Sequence, residues 1–115
     1  MRDFRKYKVW ELGLEITLSM YKITLSFPQE EIYGITSQLR RAAYSIPSNI
    51  AEGCRRESDA EFKRFLMISQ GSSSELGNFS ILANGLGYID DSIYSQLNDN
   101  INKVKRSLNN LIQKL

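Results

Sequence analysis

Residues Arg40 to Ser58 read RRAAYSIPSNIAEGCRRES, and the fold turns on how this stretch is read. Ile35, Leu39, Ala42, Ile46, Ile50 and Gly53 recur at gaps of three and four, the spacing of one helix face over about 36–56. Pro47 falls inside that pattern. At about 100° per residue it lies off the apolar stripe, so one helix kinked at Pro47 reconciles the two. The proline removes one hydrogen bond and crowds the carbonyl of Ala43, at a cost of about 3 kcal/mol unless packing offsets it. A competing reading ends the helix at Tyr44, turns over Ile46 to Ser48 and starts a new helix.

Working outward, Val9, Leu12, Ile16, Met20, Ile23 and Phe27 mark a first helix over about 8–26, which Pro28 ends. Trp10, Leu14, Tyr21 and Leu25 lie off that face, so this helix has more apolar surface than one bundle seam consumes. Ser58, with Glu61 three residues on, has capping-box spacing and opens a third helix over about 59–85. Its periodic face runs through Phe62, Phe65, Leu66, Ser69, Ser73, Leu76, Phe79, Ala83 and Leu86. GSSSELGNFS (71–80) is loop-like in composition, yet the period passes through it, so its small residues are expected to permit close helix approach. NGLGYIDD (84–91) stops that helix, and Asp90 or Asp91 caps a fourth over about 91–114, seamed by Leu97, Ile101, Val104, Leu108, Leu111 and Leu115. Four helices on short turns predict an all-α, antiparallel up-down four-helix bundle, in a single domain over 1–115.

Lys and Arg number 15 against 13 Asp and Glu, a net charge of +2, so any electrostatic signal must be local. There is no histidine, and Cys54 is the one cysteine; imidazole acid–base chemistry, Cys/His zinc sites and intrachain disulfides are thereby excluded, and a reducing cytoplasm is the expected compartment. Glu11 and Glu15 interrupt what would have to be a signal-peptide apolar run, and no stretch reaches the 18 or so apolar residues of a membrane span. The adjacent carboxylates Glu30–Glu31 and Asp90–Asp91 sit at helix boundaries, where capping accounts for them. No catalytic residue, metal or cofactor is assigned, and an enzyme would need a carboxylate–metal or lysine-based site.

Two constellations remain. Gln38, Arg41, Ser45, Asn49, Glu52 and Arg56 fall within an arc of about 80° beside the apolar stripe of the second helix. This line suits hydrogen bonding to a neighbouring helix or subunit, with Glu52 and Arg56 as an i,i+4 pair; contact with a ligand or phosphate is the alternative. Arg40–Arg41 and Arg55–Arg56 form two pairs about 22 Å apart at 1.5 Å per residue, able to span several phosphates of a nucleic acid. Glu57, Asp59 and Glu61 follow directly and offer local pairing instead. Arg40 and Arg55 are expected to project outward, and Arg41 and Arg56 to pair. In RDFRKYK, Arg5, Lys6 and Lys8 alternate with Phe4 and Tyr7, a composition suited to phosphates and base stacking, or to a charged helix start anchored by its aromatics. Lys103, Lys105 and Arg106 add a smaller cluster.

The stretches VWELGLEI (9–16), YKITLSFPQEEIYGITSQLRRAAYSIPSNIAEGCRR (21–56) and FKRFLMISQGSSSEL (62–76) carry a resemblance. They are similar to the bacterial four-helix-bundle family encoded in intervening sequences of 23S ribosomal RNA genes, also called S23 ribosomal protein, over about Phe4 to Tyr88. The fourth helix matches in pattern alone. Gly13 and Ser69 stand where relatives commonly have alanine, and Ser73 where they have leucine, substitutions expected to weaken helix packing. The resemblance implies a helical protomer in a homopentamer with no established enzymatic activity. The chain is also similar to the accessory variability determinant of diversity-generating retroelements, which implies RNA or DNA and a reverse-transcriptase-like protein as partners.

Overall fold

The computed structural model describes residues 2–115. Four helices, α1 (Lys8–Ile23), α2 (Ile35–Cys54), α3 (Asp59–Gly85) and α4 (Asp91–Gln113), form an antiparallel up-down bundle in which each helix packs on its neighbours in sequence and α4 closes on α1. Its longest dimension is 43 Å, close to the length of a 27-residue helix at about 1.5 Å per residue.

Each boundary has a local cause. After Ile23 the chain tightens into a 3-10 turn, Thr24–Ser26, before Phe27 adopts the extended conformation that a following proline favours. The α3 N-terminus is capped by the Ser58 hydroxyl, which accepts from the Glu61 amide at 3.1 Å, while the Glu61 carboxylate takes Arg64 at 3.2 Å. At the other end Gly87, with φ of 78°, lets the amides of Gly87 and Tyr88 return to the carbonyls of Asn84 and Ala83, a Schellman closure. Of the two aspartates, Asp90 caps α4, accepting from the Ile93 amide at 2.8 Å, and Asp91 takes Asn84.

The second helix runs unbroken across Pro47, so the reading with a turn at 46–48 is overturned. Pro47 is fully packed: a Cβ added at Gly13 of α1 would stand 3.1 Å from Ile46 Cγ2 and 3.2 Å from Pro47 Cδ. The proline lies off the stripe that meets α3 because α2 is sandwiched, and a second packed side faces α1. On the α3 side, Ser69 donates to the carbonyl of Ile46 at 2.9 Å and Ser45 hydrogen-bonds Ser72. Gly13 and Ser69, expected to weaken packing, are thus points of close contact; the buried Ser73 turns its hydroxyl onto the carbonyl of Ser69 at 2.9 Å.

Within the 71–80 run it is the serines, rather than the glycines, that let α3 approach α2. A Cβ at Gly71 or Gly77 would meet nothing within 4 Å, so these glycines are helix positions without a packing role. Gly53 is the reverse case, because a Cβ there would stand 2.8 Å from Phe65 Cβ and 3.1 Å from Phe62 Cδ1. Phe65 Cβ is fixed to the backbone, so Gly53→Ala must push the helices apart. We expect a loss of about 1–3 kcal/mol, read by thermal unfolding as a lower Tm; an unchanged Tm would show that the contact relaxes freely.

The core consists of fully buried residues from all four helices, among them Met20, Leu39, Ile46, Leu66, Leu76 and Ile101. The α4 seam is buried at Leu97, Ile101, Val104 and Leu108 and fades at its end, where Leu115 is exposed. Leu86, placed on the α3 face by periodicity, is exposed because the helix ends there.

Candidate nucleic-acid interface

Sequence order hides how the bundle sorts its charges. Cutting each helix at its midpoint leaves twelve of the 15 Lys and Arg in the half that holds the start of α1, at 2, 5, 6, 8, 55, 56, 63, 64, 103, 105, 106 and 114. Seven carboxylates share that half, at 3, 11, 15, 52, 57, 59 and 61. The other half has three cations, Lys22, Arg40 and Arg41, against six carboxylates at 30, 31, 75, 90, 91 and 99. The halves are formally +5 and −3, which together make the net +2 of the chain. Up-down topology produces this, because it brings the start of α1, the α2–α3 turn and the end of α4 to one place.

At that basic end the arginines divide into anchors and free cations. Arg2 donates to the carbonyl of Arg56 at 2.8 Å, pairs with Asp59 and lays its guanidinium 4.4 Å from the centroid of Phe62. The Arg56 carbonyl lies just past the end of α2, where the helix dipole favours a cation, and Arg2 ties it to the first turn of α3. Arg56 pairs with Glu52 at 2.6 Å, and the Phe65 ring lies between Arg56 and Arg64 at 4.6 and 4.8 Å. Arg5 is held by Asp3 at 3.1 Å, and that guanidinium holds the Asp3 carboxyl below the usual carboxylate range. Lys8 reaches Glu11 at 3.8 Å. Arg55, Lys6 and Lys63 are exposed and have no ion-pair partner among the described residues.

The polar line of α2 meets α3. Arg41 donates to Glu75 at 2.9 Å and to Gln38 at 3.1 Å, Ser45 bonds Ser72, Asn49 turns back to the carbonyl of Ser45 at 2.8 Å, and Glu52 holds Arg56. Arg40, expected to project outward, is laid across α1: its Nε donates to the buried Thr24 hydroxyl at 2.8 Å and its guanidinium lies 4.7 Å from the Tyr21 centroid. An acceptor and a ring at the end of α1 hold it there. It stands with Arg41 in the acidic half, so the two arginine pairs do not share a surface region, whereas Arg55 and Arg56 join Arg5, Lys6 and Lys8. Sequence reasoning placed Arg2 in the basic RDFRKYK stretch without a partner and did not single out Lys63. The Arg2 partner, Asp59, lies 57 residues away, and no local spacing signals it.

A cleft of about 650 Å³ opens between the N-terminal segment and the last turns of α2, lined by Phe4, Ala51, Cys54 and Arg55 among others. Burial pushes the Cys54 thiol up. No group of three or more His, Cys, Asp or Glu is arranged to hold a metal among the described residues, and no helix is long and apolar enough to cross a membrane.

A protein-family model described as 23S rRNA-intervening sequence protein matches residues 5–110. The match reaches into α4, beyond the Tyr88 limit of the resemblance read from the sequence. No curated protein matches the chain. Among solved structures, a protein with unknown function from the S23 ribosomal protein family of Bacteroides thetaiotaomicron VPI-5482 is similar over 90% of this chain and 97% of its own, with a TM-score of 0.81 and 23% identity. At that identity the likeness speaks to the fold. Neither match concerns a retroelement protein.

Proposed function

We propose that this chain, which belongs to the 23S rRNA-intervening sequence protein family, is a non-enzymatic accessory protein that binds RNA or DNA through its basic end. One observation carries the reading: a chain of net +2 is divided into halves of +5 and −3. Phosphate backbones bind by counterion release on clustered Lys and Arg, and the sorted half supplies the cluster that the sum conceals. Arg55, Lys6 and Lys63, together with Lys103, Arg106 and Lys114 of α4 and its end, are exposed cations with charge to spare, while Arg2, Arg56 and Arg64 hold the surface in shape. Titrating a labelled RNA at rising salt tests this: log K falls linearly with log salt, and absence of binding at 50 mM salt or below overturns the reading.

The protomer acts in a ring of copies, a homopentamer as the resemblance implies. Supporting this, α1 and the 3-10 turn after it carry Leu18 and Leu25, 63% and 78% exposed, and Met67 and Ile81 on α3, with Leu86 just past its end, are each more than half exposed. Helices α1 and α3 sit at opposite corners of the bundle, so the two apolar faces point apart. Two different faces make a head-to-tail contact, and a head-to-tail contact that closes is a ring. A ring with cyclic symmetry sets every basic end at the same level, which multiplies weak phosphate contacts. Leu18→Asp with Leu25→Asp is expected to leave a folded protomer and lower the mass seen by light scattering. A wild-type monomer at micromolar concentration would overturn the ring, and the chain would then bind as a single bundle.

A further inference from the structure

The basic end holds a shape that phosphate binding alone does not use. The cleft between Asp3–Arg5 and the last turns of α2 is about 650 Å³, within the range of small-ligand sites. A second hollow of about 530 Å³, on the side of the α2–α3 turn, shares Arg2, Cys54 and Arg55 with it, so one groove bends around Arg55. The Phe4 ring, the Ala51 methyl and the Cys54 thiol contribute apolar surface; the Asp3 and Glu52 carboxylates contribute acceptors; Arg55 contributes an exposed guanidinium without an ion-pair partner among the described residues. An apolar lining that includes an aromatic ring, acceptors for ring N–H and amino groups, and a cation for a phosphate are together the chemistry of a nucleotide.

We propose that this groove takes one unpaired nucleobase, with its phosphate on Arg55, so that the protein prefers single-stranded nucleic acid to duplex. The proposal rests on the nucleic-acid reading above and refines it. A base in a duplex is stacked and paired, and entering the groove would mean unstacking it. A single strand offers its bases free, and a base laid against an apolar wall gains stacking that a duplex cannot supply. Base stacking in such sites corresponds to roughly five- to a hundredfold in affinity per base, so a preference of about tenfold follows. Ala51 and Ser48 line the groove and carry no charge, which makes them the positions at which shape is separable from electrostatics.

The test compares a labelled ten-nucleotide RNA with its duplex by fluorescence anisotropy at one salt concentration, for wild type, Ala51→Leu and Ser48→Leu. Ser48 is exposed, so S48L, which adds bulk without a ring to stack on, tests the groove even if A51L disturbs folding. The expected result is a single-strand preference of about tenfold that both fillings abolish, with duplex affinity unchanged. Equal binding of strand and duplex by wild type, or a preference that survives S48L, overturns the groove while the nucleic-acid reading stands. Failure of both probes to bind at 50 mM salt overturns both. Titration with AMP separates the sources of a base and phosphate: tighter binding of the ten-mer assigns the groove to a strand, and tighter binding of AMP to a free nucleotide.

Discussion

Reversing Lys6, Arg55 and Lys63 to glutamate is expected to weaken RNA binding on the order of a hundredfold at low salt. These three exposed residues are free of ion-pair partners among the described residues, so their removal breaks no ion pair and the fold should stand. At about 1 kcal/mol for an exposed charged contact, three contacts correspond to roughly that factor. The slope of log K against log salt should flatten by about two to three, since each phosphate contact contributes close to one. Two controls locate the effect. Lys22→Glu, at the acidic end, should change affinity less than about twofold, because at physiological salt charges beyond about 8 Å are largely screened. Adding Glu30→Lys and Asp99→Lys to the triple variant restores four of its six lost charges at the wrong end, and binding should stay weak. If Lys22→Glu costs as much as Arg55→Glu, or if the added lysines rescue binding, net charge rather than the basic end governs association.

The sequence reading reached four helices and an all-α bundle because the signals were local: apolar periods, Ser58 and Asp90 as caps, and Gly87 as a stop. It went wrong where a side chain's partner lies far along the chain. GSSSELGNFS was legible as helix, yet periodicity could not tell the serines that touch α2 from Gly71 and Gly77, which touch nothing, because that distinction depends on which neighbour stands opposite. Pro47 read as an off-stripe residue since one stripe was sought, whereas a helix between two neighbours has two. Arg40 read as outward by its angle on α2, but Tyr21 and Thr24 take it, and their proximity is a property of the bundle. The charge sorting was invisible for the same reason: clusters at 5–8, 55–56, 63–64 and 103–106 are separated in sequence and converge only after the helices fold back on one another. Arg56, by contrast, found Glu52 one turn away, a pairing that spacing alone predicts.

The largest loss of stability is expected at Phe62. Its side chain is fully buried, with the Tyr7 ring edge-on at 5.7 Å and the Arg2 guanidinium over it at 4.4 Å. Gly53 makes room for it on α2. One ring therefore joins the N-terminal segment, the end of α2 and the start of α3. Phe62→Ala should cost about 3–5 kcal/mol through lost burial and the cavity left behind, a large share of the 5–15 kcal/mol typical of a folded domain. At roughly 4 °C per kcal/mol the Tm should fall by about 12–20 °C. Arg2→Ala alone should cost less, and the double variant less than the two summed, because Arg2 loses its ring contact once Phe62 is gone. That shortfall, read by denaturant unfolding, measures how far the basic end is built on the core. Strict additivity would mean that Arg2 is held by Asp59 and the Arg56 carbonyl alone, and the arginines of the interface would then be a surface feature that the core does not position.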